Sequence, residues 1–263
     1  MPHRGCPHQC SFCNQRHITG EIEEVTPEKV RNTIERCLQT IDSNKYKTAV
    51  AFYGGSFTAI EKERQDELLA AAYEYVKADK VESIRLSTRP DAIDTDVLQN
   101  LKRYSVTEIE LGVQSMCDEV LSANKRGHTA ADVVKAAKLI KKHGFSLGLQ
   151  MMPGLIGDSK EKSLYTAREI AKLAPEFVRI YPTLVFCDTP LYDEYKSGRY
   201  TPLPLTQAVD ICKALTEIFE EHKIKVIRVG LLVEEHAKEK LIAGPYHDNF
   251  RQLVQKAGKQ QLR

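Results

Sequence analysis

The chain has 263 residues, 42% of them apolar and 28% charged, with a formal net charge of +2. This composition is typical of a soluble globular protein, and the near-neutral charge gives no sign of a surface that binds nucleic acid. No apolar run reaches the ~18 residues of a membrane span, and the N-terminus lacks a signal-peptide pattern. We therefore expect a cytoplasmic protein with no membrane partner.

Short β-branched runs alternate with longer amphipathic segments along the chain. The first amphipathic segment follows Thr26-Pro27-Glu28, a sequence that is typical of a helix N-terminus. In chain order, the pattern predicts helices at 27–41 and 61–78, from about 94, at 129–144, from 158 and at 205–222. It predicts strands at 47–53, 83–88, 108–113, 145–151, 177–181 and 224–229.

This alternation predicts the fold class. The spacings fit right-handed βαβ crossovers, and hence a mainly parallel sheet in an α/β protein. Repetition of the unit favours a complete or partial (β/α) barrel, with a doubly wound sheet as the alternative. In both folds, ligands bind at the carboxyl ends of the strands. Because no linker interrupts the pattern, we expect one domain over 1–263.

Three cysteines near the N-terminus, Cys6, Cys10 and Cys13, have C-x3-C-x2-C spacing. Thiolates are the usual protein ligands of iron–sulfur clusters, and a closed set has four. The next cysteine, Cys37, lies far downstream in a predicted helix, so the triplet predicts a cluster with one iron that lacks a protein ligand. The alternative is a Cys3His zinc site completed by one of three histidines, although zinc sites usually pair two C-x2-C motifs. Those histidines are His3, His8 and His17.

Unusual residues follow the ends of the predicted strands. Gly54 and Gly55 follow the first, where glycines allow the backbone to approach a ligand, although the pair alone favours an ordinary tight turn. The later strand ends read Ser87-Thr88-Arg89-Pro90-Asp91, then Gly112-Val113-Gln114-Ser115 with Arg126-Gly127-His128 downstream, then Gln150-Met151-Met152-Pro153-Gly154 and Tyr181-Pro182-Thr183. Gln114 and Gln150 are equally consistent with ligand binding and with satisfying backbone groups at the barrel ends. Arg126 and His128 are equally consistent with a functional role and with being solvated residues that cap the helix beginning at Thr129.

In this order, the motifs resemble those of the radical S-adenosylmethionine (radical SAM) superfamily. The cysteine triplet, with Phe12 before its last cysteine, matches the cluster loop of that family, and Gly54-Gly55 matches its methionine-binding turn. The whole set, from Pro2 to about Leu253, resembles the radical SAM domain of the Elongator catalytic subunit and its short bacterial relatives. The resemblance implies a partial (β/α)6 TIM-like barrel, with the cluster loop at 2–20, the barrel at about 26–182 and a C-terminal extension at about 183–263.

The resemblance also implies the cofactors and their ligands. A [4Fe–4S] cluster would be held by the three cysteines of the triplet, and its open iron would bind S-adenosylmethionine. Reductive cleavage would release a 5′-deoxyadenosyl radical that abstracts hydrogen from a substrate, while the protein positions and shields the cofactors. Arg126 matches an arginine that pairs with the methionine carboxylate. The full set of implied cofactor contacts is Phe12, Gly54, Gly55, Ser56, Ser87, Gln114, Arg126 and Gln150, and no catalytic residue is assigned.

Departures from the family pattern are informative. Only five residues precede Cys6, so we expect the first barrel strand to be missing, which would leave an exposed sheet edge. The Elongator subunit carries an acetyltransferase domain after its radical SAM domain, and the stretch up to Arg263 has no length for one, which argues against acetyl-group chemistry. Ser56 stands where a glutamate is common elsewhere in the superfamily.

The substrate is the least determined part of this interpretation. The resemblance favours a tRNA base, with the wobble uridine first, and an electron donor such as flavodoxin or ferredoxin. A small metabolite is an alternative, and a tetrapyrrole is another because the chain also resembles the coproporphyrinogen-oxidase branch, in which the position of Gln150 is acidic. The alternative from a different class is a zinc-stabilised, non-catalytic RNA-binding module.

Overall fold

The computed structural model describes residues 6, 8–13, 25–42 and 45–259. Most of the predicted cluster loop at 2–20, including His3 and His17, lies outside the described residues, whereas its three cysteines lie within them. In the described part, no helix combines the length and the hydropathy that crossing a membrane requires.

Six strands form one parallel sheet, in the order β1-β2-β3-β4-β5-β7. The sheet curls into a half-barrel, so the predicted partial TIM-like barrel is confirmed. Two further short strands pair in antiparallel fashion beside it. The strands are β1 Ala49–Phe52, β2 Ser83–Thr88, β3 Val106–Gln114, β4 Ser146–Met151, β5 Phe177–Ile180, β6 Val185–Phe186, β7 Lys225–Val229 and β8 Leu241–Ala243.

Helices connect the strands and cover the outer side of the sheet. In the described residues they are α1 Pro27–Leu38, α2 Lys62–Lys77, α3 Thr95–Arg103, α4 Asp118–Ala123, α5 Ala130–Lys142, α6 Lys160–Lys172, α7 Pro190–Lys196, α8 Leu205–Glu221, α9 Glu235–Lys238 and α10 Phe250–Lys259. The predicted start of α5 is confirmed, because Thr129 and Asp132 form a reciprocal capping box there.

Two predicted helix boundaries are wrong for local reasons. Helix α1 ends at Leu38 rather than near residue 41. Helix α6 begins at Lys160 and is capped by Ser159, not by Asp158. The Asp158 carboxylate instead accepts hydrogen bonds from the backbone N of Gly154 (2.8 Å) and from a serine hydroxyl within α6. It therefore closes the preceding turn.

The two sides of the sheet differ in chemistry. On the outer side, Ile84 and Leu86 of β2 are fully buried against the helices in the main apolar core. Side chains alternate between the two sides of a strand. The residues of β2 that face the inner side, Ser83, Arg85 and Ser87, are polar or charged. We call this concave inner side the lumen; its charged residues include Arg85, Glu108, Glu110 and Arg179.

The ends of the sheet lie at β1 and β7. Strand β1 pairs only with β2, and within the described residues no strand covers its other edge. Strand β7 supplies the sixth strand from the region predicted as a C-terminal extension. Residues that follow both of these end strands, Gly54 after β1 and Leu231 after β7, line one cavity.

Candidate functional site

A cavity of about 370 Å³ lies at the carboxyl ends of the sheet strands. It brings together almost every residue that the sequence predicts for the site. Its walls include Cys6, Phe12, Cys13, Gly54, Gly55, Ser56, Ser87, Gln114, Arg126 and Gln150. The remaining predicted residue, Cys10, does not line the cavity and is buried, with 2% of its surface exposed. No disulfide involves any of the seven cysteines.

Arg126 connects the cysteine triplet to the sheet. Its Nη1 lies 3.2 Å from Cys10 Sγ, and its Nη2 donates to the carbonyl oxygen of Gly112 at 2.6 Å. The guanidinium carbon lies 6.0 Å from the centre of the Phe12 ring. Nε is buried and has no hydrogen-bond partner in the described part of the chain. Two guanidinium nitrogens therefore contact protein groups, and Nε is left without a partner among the described residues.

Arg89 is a second buried arginine at the cavity, and the sequence interpretation did not assign it a role. It is 3% exposed, and its Nε donates to Asp91 at 2.9 Å. Its Nη2 donates both to Asp91 and to the carbonyl oxygen of Arg126. Its Nη1 is buried without a partner among the described residues. The sequence did offer one signal for a role of Arg89 in the site: it directly follows the carboxyl end of β2, where ligands bind in this class of fold.

The side chain of Ser56 holds the turn after β1 in place. Its hydroxyl accepts a hydrogen bond from the backbone N of Arg89 (3.2 Å) and lies 3.1 Å from the hydroxyl of Thr88. Thr88 in turn contacts Thr58 at 2.7 Å. The Ser56 hydroxyl is therefore engaged by Arg89 and Thr88, and the groups that this turn can offer to a ligand in the cavity are those of its backbone. Gly54 has a φ of 91°, a conformation that glycine adopts without strain.

Gln114 has two features that are typical of binding sites. It is a non-glycine residue with a φ of 67°, which is uncommon and clusters at functional sites. Its Oε1 is buried without a hydrogen-bond partner within the described ranges. A buried acceptor that is left without a donor costs about 1–3 kcal/mol. A bound ligand that donates to Oε1 would remove this cost.

Asn124 anchors the cysteine triplet, and no sequence pattern pointed to it. Its side chain is fully buried, and its Oδ1 accepts from the Ser11 hydroxyl (2.6 Å) and from the backbone N of Ile156 (3.3 Å). Its Nδ2 donates to the carbonyl oxygens of Val120 (2.8 Å) and Ile156 (3.0 Å). One asparagine therefore joins the loop between Cys10 and Cys13 to two distant segments.

His128 is buried beside the cavity but does not line it. Its Nε2 lies 3.3 Å from the carbonyl oxygen of Val113, so the neutral ring donates from Nε2. Its Nδ1 has no partner in the described part. Burial, followed by the charges of Arg126 and Arg89, lowers the pKa of His128 to about 4. The ring is therefore a neutral structural group at neutral pH.

We expect the buried neutral His128 to make stability depend on pH. The unfolded chain takes up this proton near pH 6.5, before the folded protein does, so the free energy of unfolding falls as the pH drops from about 6.5 to 4. Lowering the pKa of His128 from 6.5 to about 4 corresponds to about 3 kcal/mol. Urea unfolding of the protein and of His128→Gln at several pH values measures the difference. Parallel curves for the two proteins would contradict the assignment.

The described residues contain no group of three or more His, Cys, Asp and Glu side chains that could hold a single metal ion. Two histidines of the zinc alternative, His3 and His17, lie outside these residues. The third, His8, has its imidazole against Gly127, where an added Cβ would come within 2.3 Å of the ring, and its Nε2 lies 3.8 Å from Asp91.

Comparison with known proteins places this chain in a family. The model of the radical SAM superfamily matches residues 1–170, and that of the radical SAM C-terminal domain matches residues 175–260. The tRNA uridine(34) acetyltransferase of Methanocaldococcus infernus is 27% identical over 290 residues, which cover 95% of this chain and 54% of that protein. Elongator complex protein 3 of Saccharomyces cerevisiae is 28% identical over 205 residues, covering 70% and 36%.

A solved structure shows the same relationship. The chain superposes on the Elp3 protein of Methanocaldococcus infernus with an N-terminal deletion (1–46) at a TM-score of 0.76 and 27% identity, covering 90% of this chain and 60% of that one. This chain spans about half the length of the archaeal relative and about a third of the yeast protein. The superfamily model covers well over half of the sequence, and this chain therefore belongs to the radical SAM superfamily, as an enzyme homologous to the archaeal and eukaryotic Elongator proteins.

Proposed function

We propose that this enzyme uses radical SAM chemistry to modify a tRNA base, with the wobble uridine as the first candidate. The observation that carries the proposal is the convergence of Cys6, Cys13 and the strand-end residues on one cavity, with Cys10 in contact with Arg126 at its wall. The tRNA part is supported by the archaeal relative, which is a tRNA uridine(34) acetyltransferase. The chain matches 54% of that relative, and the proposal concerns only the chemistry of this matched part.

Radical SAM enzymes use a [4Fe–4S] cluster and S-adenosylmethionine, and the residues of the cavity fit such a pair. Three buried polar atoms at its wall have neither a hydrogen-bond partner nor an ion-pair partner within the described ranges: Arg89 Nη1, Gln114 Oε1 and Arg126 Nε. Buried polar groups are nearly always hydrogen-bonded, so three such atoms around one cavity indicate a polar ligand. Two donors and one acceptor suit a molecule that carries carboxylate, amino and hydroxyl groups.

The following roles are our assignment. Cys6, Cys10 and Cys13 would hold the cluster, and the backbone of Gly54 and Gly55 would face the methionine amino group. When bound, the two cofactors supply the one-electron chemistry that removes a hydrogen atom from the substrate. An external donor such as flavodoxin or ferredoxin would provide the electron.

The remaining task of the protein is to orient the ligands and to exclude water. Arg126 would meet a carboxylate with Nε, while its two other nitrogens keep Cys10 and the Gly112 carbonyl in place. Apolar side chains also line the cavity, among them Met152, Leu184, Phe186 and Leu231. These side chains would shield a reactive species from solvent.

The proposal is tested with two tRNA transcripts that are identical except for uridine or cytidine at position 34. The reconstituted enzyme is incubated anaerobically with S-adenosylmethionine and dithionite, and the formation of 5′-deoxyadenosine is followed. We expect the uridine transcript to increase the rate and the cytidine transcript to leave it near the rate without RNA. Equal rates with both transcripts would reject the wobble uridine as the substrate.

A further inference from the structure

A buried ionic network in the lumen forms part of the wall of the candidate cofactor site, because Tyr53, Glu110, Gln150 and Arg179 all line the cavity. Its centre is Glu110 of β3, whose side chain is 1% exposed. Glu110 Oε1 lies 2.8 Å from Nε of Arg179 on β5, and Oε2 accepts from the hydroxyl of Tyr53 at 3.1 Å. The Nε2 of Gln150, on β4, also donates to Oε1. Three strands and the turn after β1 therefore meet at one carboxylate.

The network restrains Arg179 as well. The Arg179 guanidinium lies 5.7 Å from the centre of the Tyr53 ring, and its Nη1 donates to the hydroxyl of Tyr181 at 3.4 Å. A buried carboxylate is tolerated only when it is paired and its other hydrogen bonds are satisfied. Glu110 meets this condition, because Arg179 and Gln150 contact one of its carboxylate oxygens and Tyr53 contacts the other.

The identity of Glu110 determines which way the amide of Gln150 faces. An ionised carboxylate only accepts hydrogen bonds, so it must face the NH2 group of Gln150 and not its carbonyl oxygen. The amide of Gln150 lines the cavity, and its Oε1 has no hydrogen-bond partner among the described residues. The oxygen of Gln150 is therefore the group that the amide presents to a ligand.

We propose that Glu110 is a positioning residue that fixes Gln150 as a hydrogen-bond acceptor for the nucleoside cofactor. This inference rests on the proposed function, because it assumes that the cavity binds S-adenosylmethionine. An acceptor at this place suits a hydroxyl donor such as those of the ribose. Without the carboxylate of Glu110, the amide of Gln150 is free to turn its NH2 group towards the ligand.

The test exchanges the two groups. In Gln150→Glu, two carboxylates face each other, and we expect the affinity of the cluster-loaded protein for S-adenosylmethionine to fall about tenfold or more. Adding Glu110→Gln restores an amide that donates to a carboxylate, with a carboxylate oxygen now facing the cavity. We expect this double variant to recover most of the lost affinity. Equilibrium dialysis measures binding, and thermal unfolding of each variant measures stability.

Glu108 offers a matched control. It lies on the same strand and the same side as Glu110, pairs with Arg85 at 3.3 Å and does not line the cavity. Combining Glu108→Gln with Gln150→Glu removes one negative charge but leaves the two facing carboxylates, so we expect no recovery. Recovery with this control would assign the effect to net charge and overturn the inference.

Other outcomes also decide the matter. Unchanged affinity in Gln150→Glu, or a double variant that regains none of the loss, would overturn the positioning role of Glu110. A gain in thermal stability without a gain in affinity in the double variant would show that Glu110 only supports the barrel. Failure of the unmodified protein to bind S-adenosylmethionine would overturn the proposed function itself, and the two failures are therefore distinguishable.

Discussion

Replacing Cys13 by alanine is expected to remove the iron–sulfur cluster and to abolish the formation of 5′-deoxyadenosine. Cys6 and Cys13 line the cavity and Cys10 contacts Arg126 at its wall, and a cluster held by three thiolates has no spare protein ligand to replace a lost one. The iron content and the visible absorption of the anaerobically reconstituted variant measure cluster retention. Chromatography of the products measures nucleoside formation.

Cys37→Ala is the control for this experiment. Cys37 is exposed on α1 and is no part of the cavity wall, so its loss should leave both the iron content and the nucleoside yield unchanged. A Cys13→Ala protein that keeps its iron would show that the three cysteines are not the ligand set. Loss of iron in the Cys37→Ala protein would show that the set is incomplete.

Replacing Asn124 by alanine is expected to have the second largest effect. The substitution deprives the Ser11 hydroxyl and two backbone segments of their partners in a fully buried position. Several buried groups lose hydrogen bonds at once, so we expect the free energy of unfolding to fall by about 3 kcal/mol. We also expect a lower iron content per folded chain, because the loop between Cys10 and Cys13 loses its side-chain anchor, while the backbone hydrogen bonds of Ser11 to Asn124 and Leu191 remain.

Asn100 separates these two effects. Asn100 is 3% exposed and donates to Asp66 at 2.7 Å, but it lies on α3 and outside the cavity wall. Asn100→Ala should therefore lower stability in urea unfolding while leaving the iron content of the folded protein unchanged. If Asn124→Ala behaved in the same way, the anchoring role of Asn124 would be wrong, and only its contribution to stability would remain.

Local patterns predicted most of the fold. Strand β2 was predicted with its observed bounds, and the capping box of α5 has a recognisable sequence. Short elements without a strong period escaped, notably α4, α7 and the pairing of β6 with β8. Strands of two or three residues are too short to show alternation, and their pairing depends on contacts between segments far apart in sequence.

The site was predictable to the extent that strand ends converge. Alternation of strands and helices brings Gly54, Ser87, Gln114 and Gln150 to one edge of the sheet, and the family resemblance assigned them to one cofactor. The contacts that position these groups were not predictable from local patterns. Asn124 meets Ser11 across 113 residues of sequence, and such pairs leave no local signature.

The lumen shows the same limit more sharply. Glu110 lies between the apolar residues Ile109 and Leu111 of β3. Nothing in this local sequence shows whether its carboxylate is buried in an ionic network or exposed to solvent. Its partners, Tyr53, Gln150 and Arg179, come from three other parts of the chain. Only the curvature of the sheet brings them together, because it turns their strands towards a common axis.

The most direct measurement is the reductive cleavage of S-adenosylmethionine by the anaerobically reconstituted protein, with its metal content determined on the same sample. We predict about four iron atoms per chain and the appearance of 5′-deoxyadenosine when dithionite is added. A colourless protein that contains zinc in place of iron and forms no nucleoside would contradict the account.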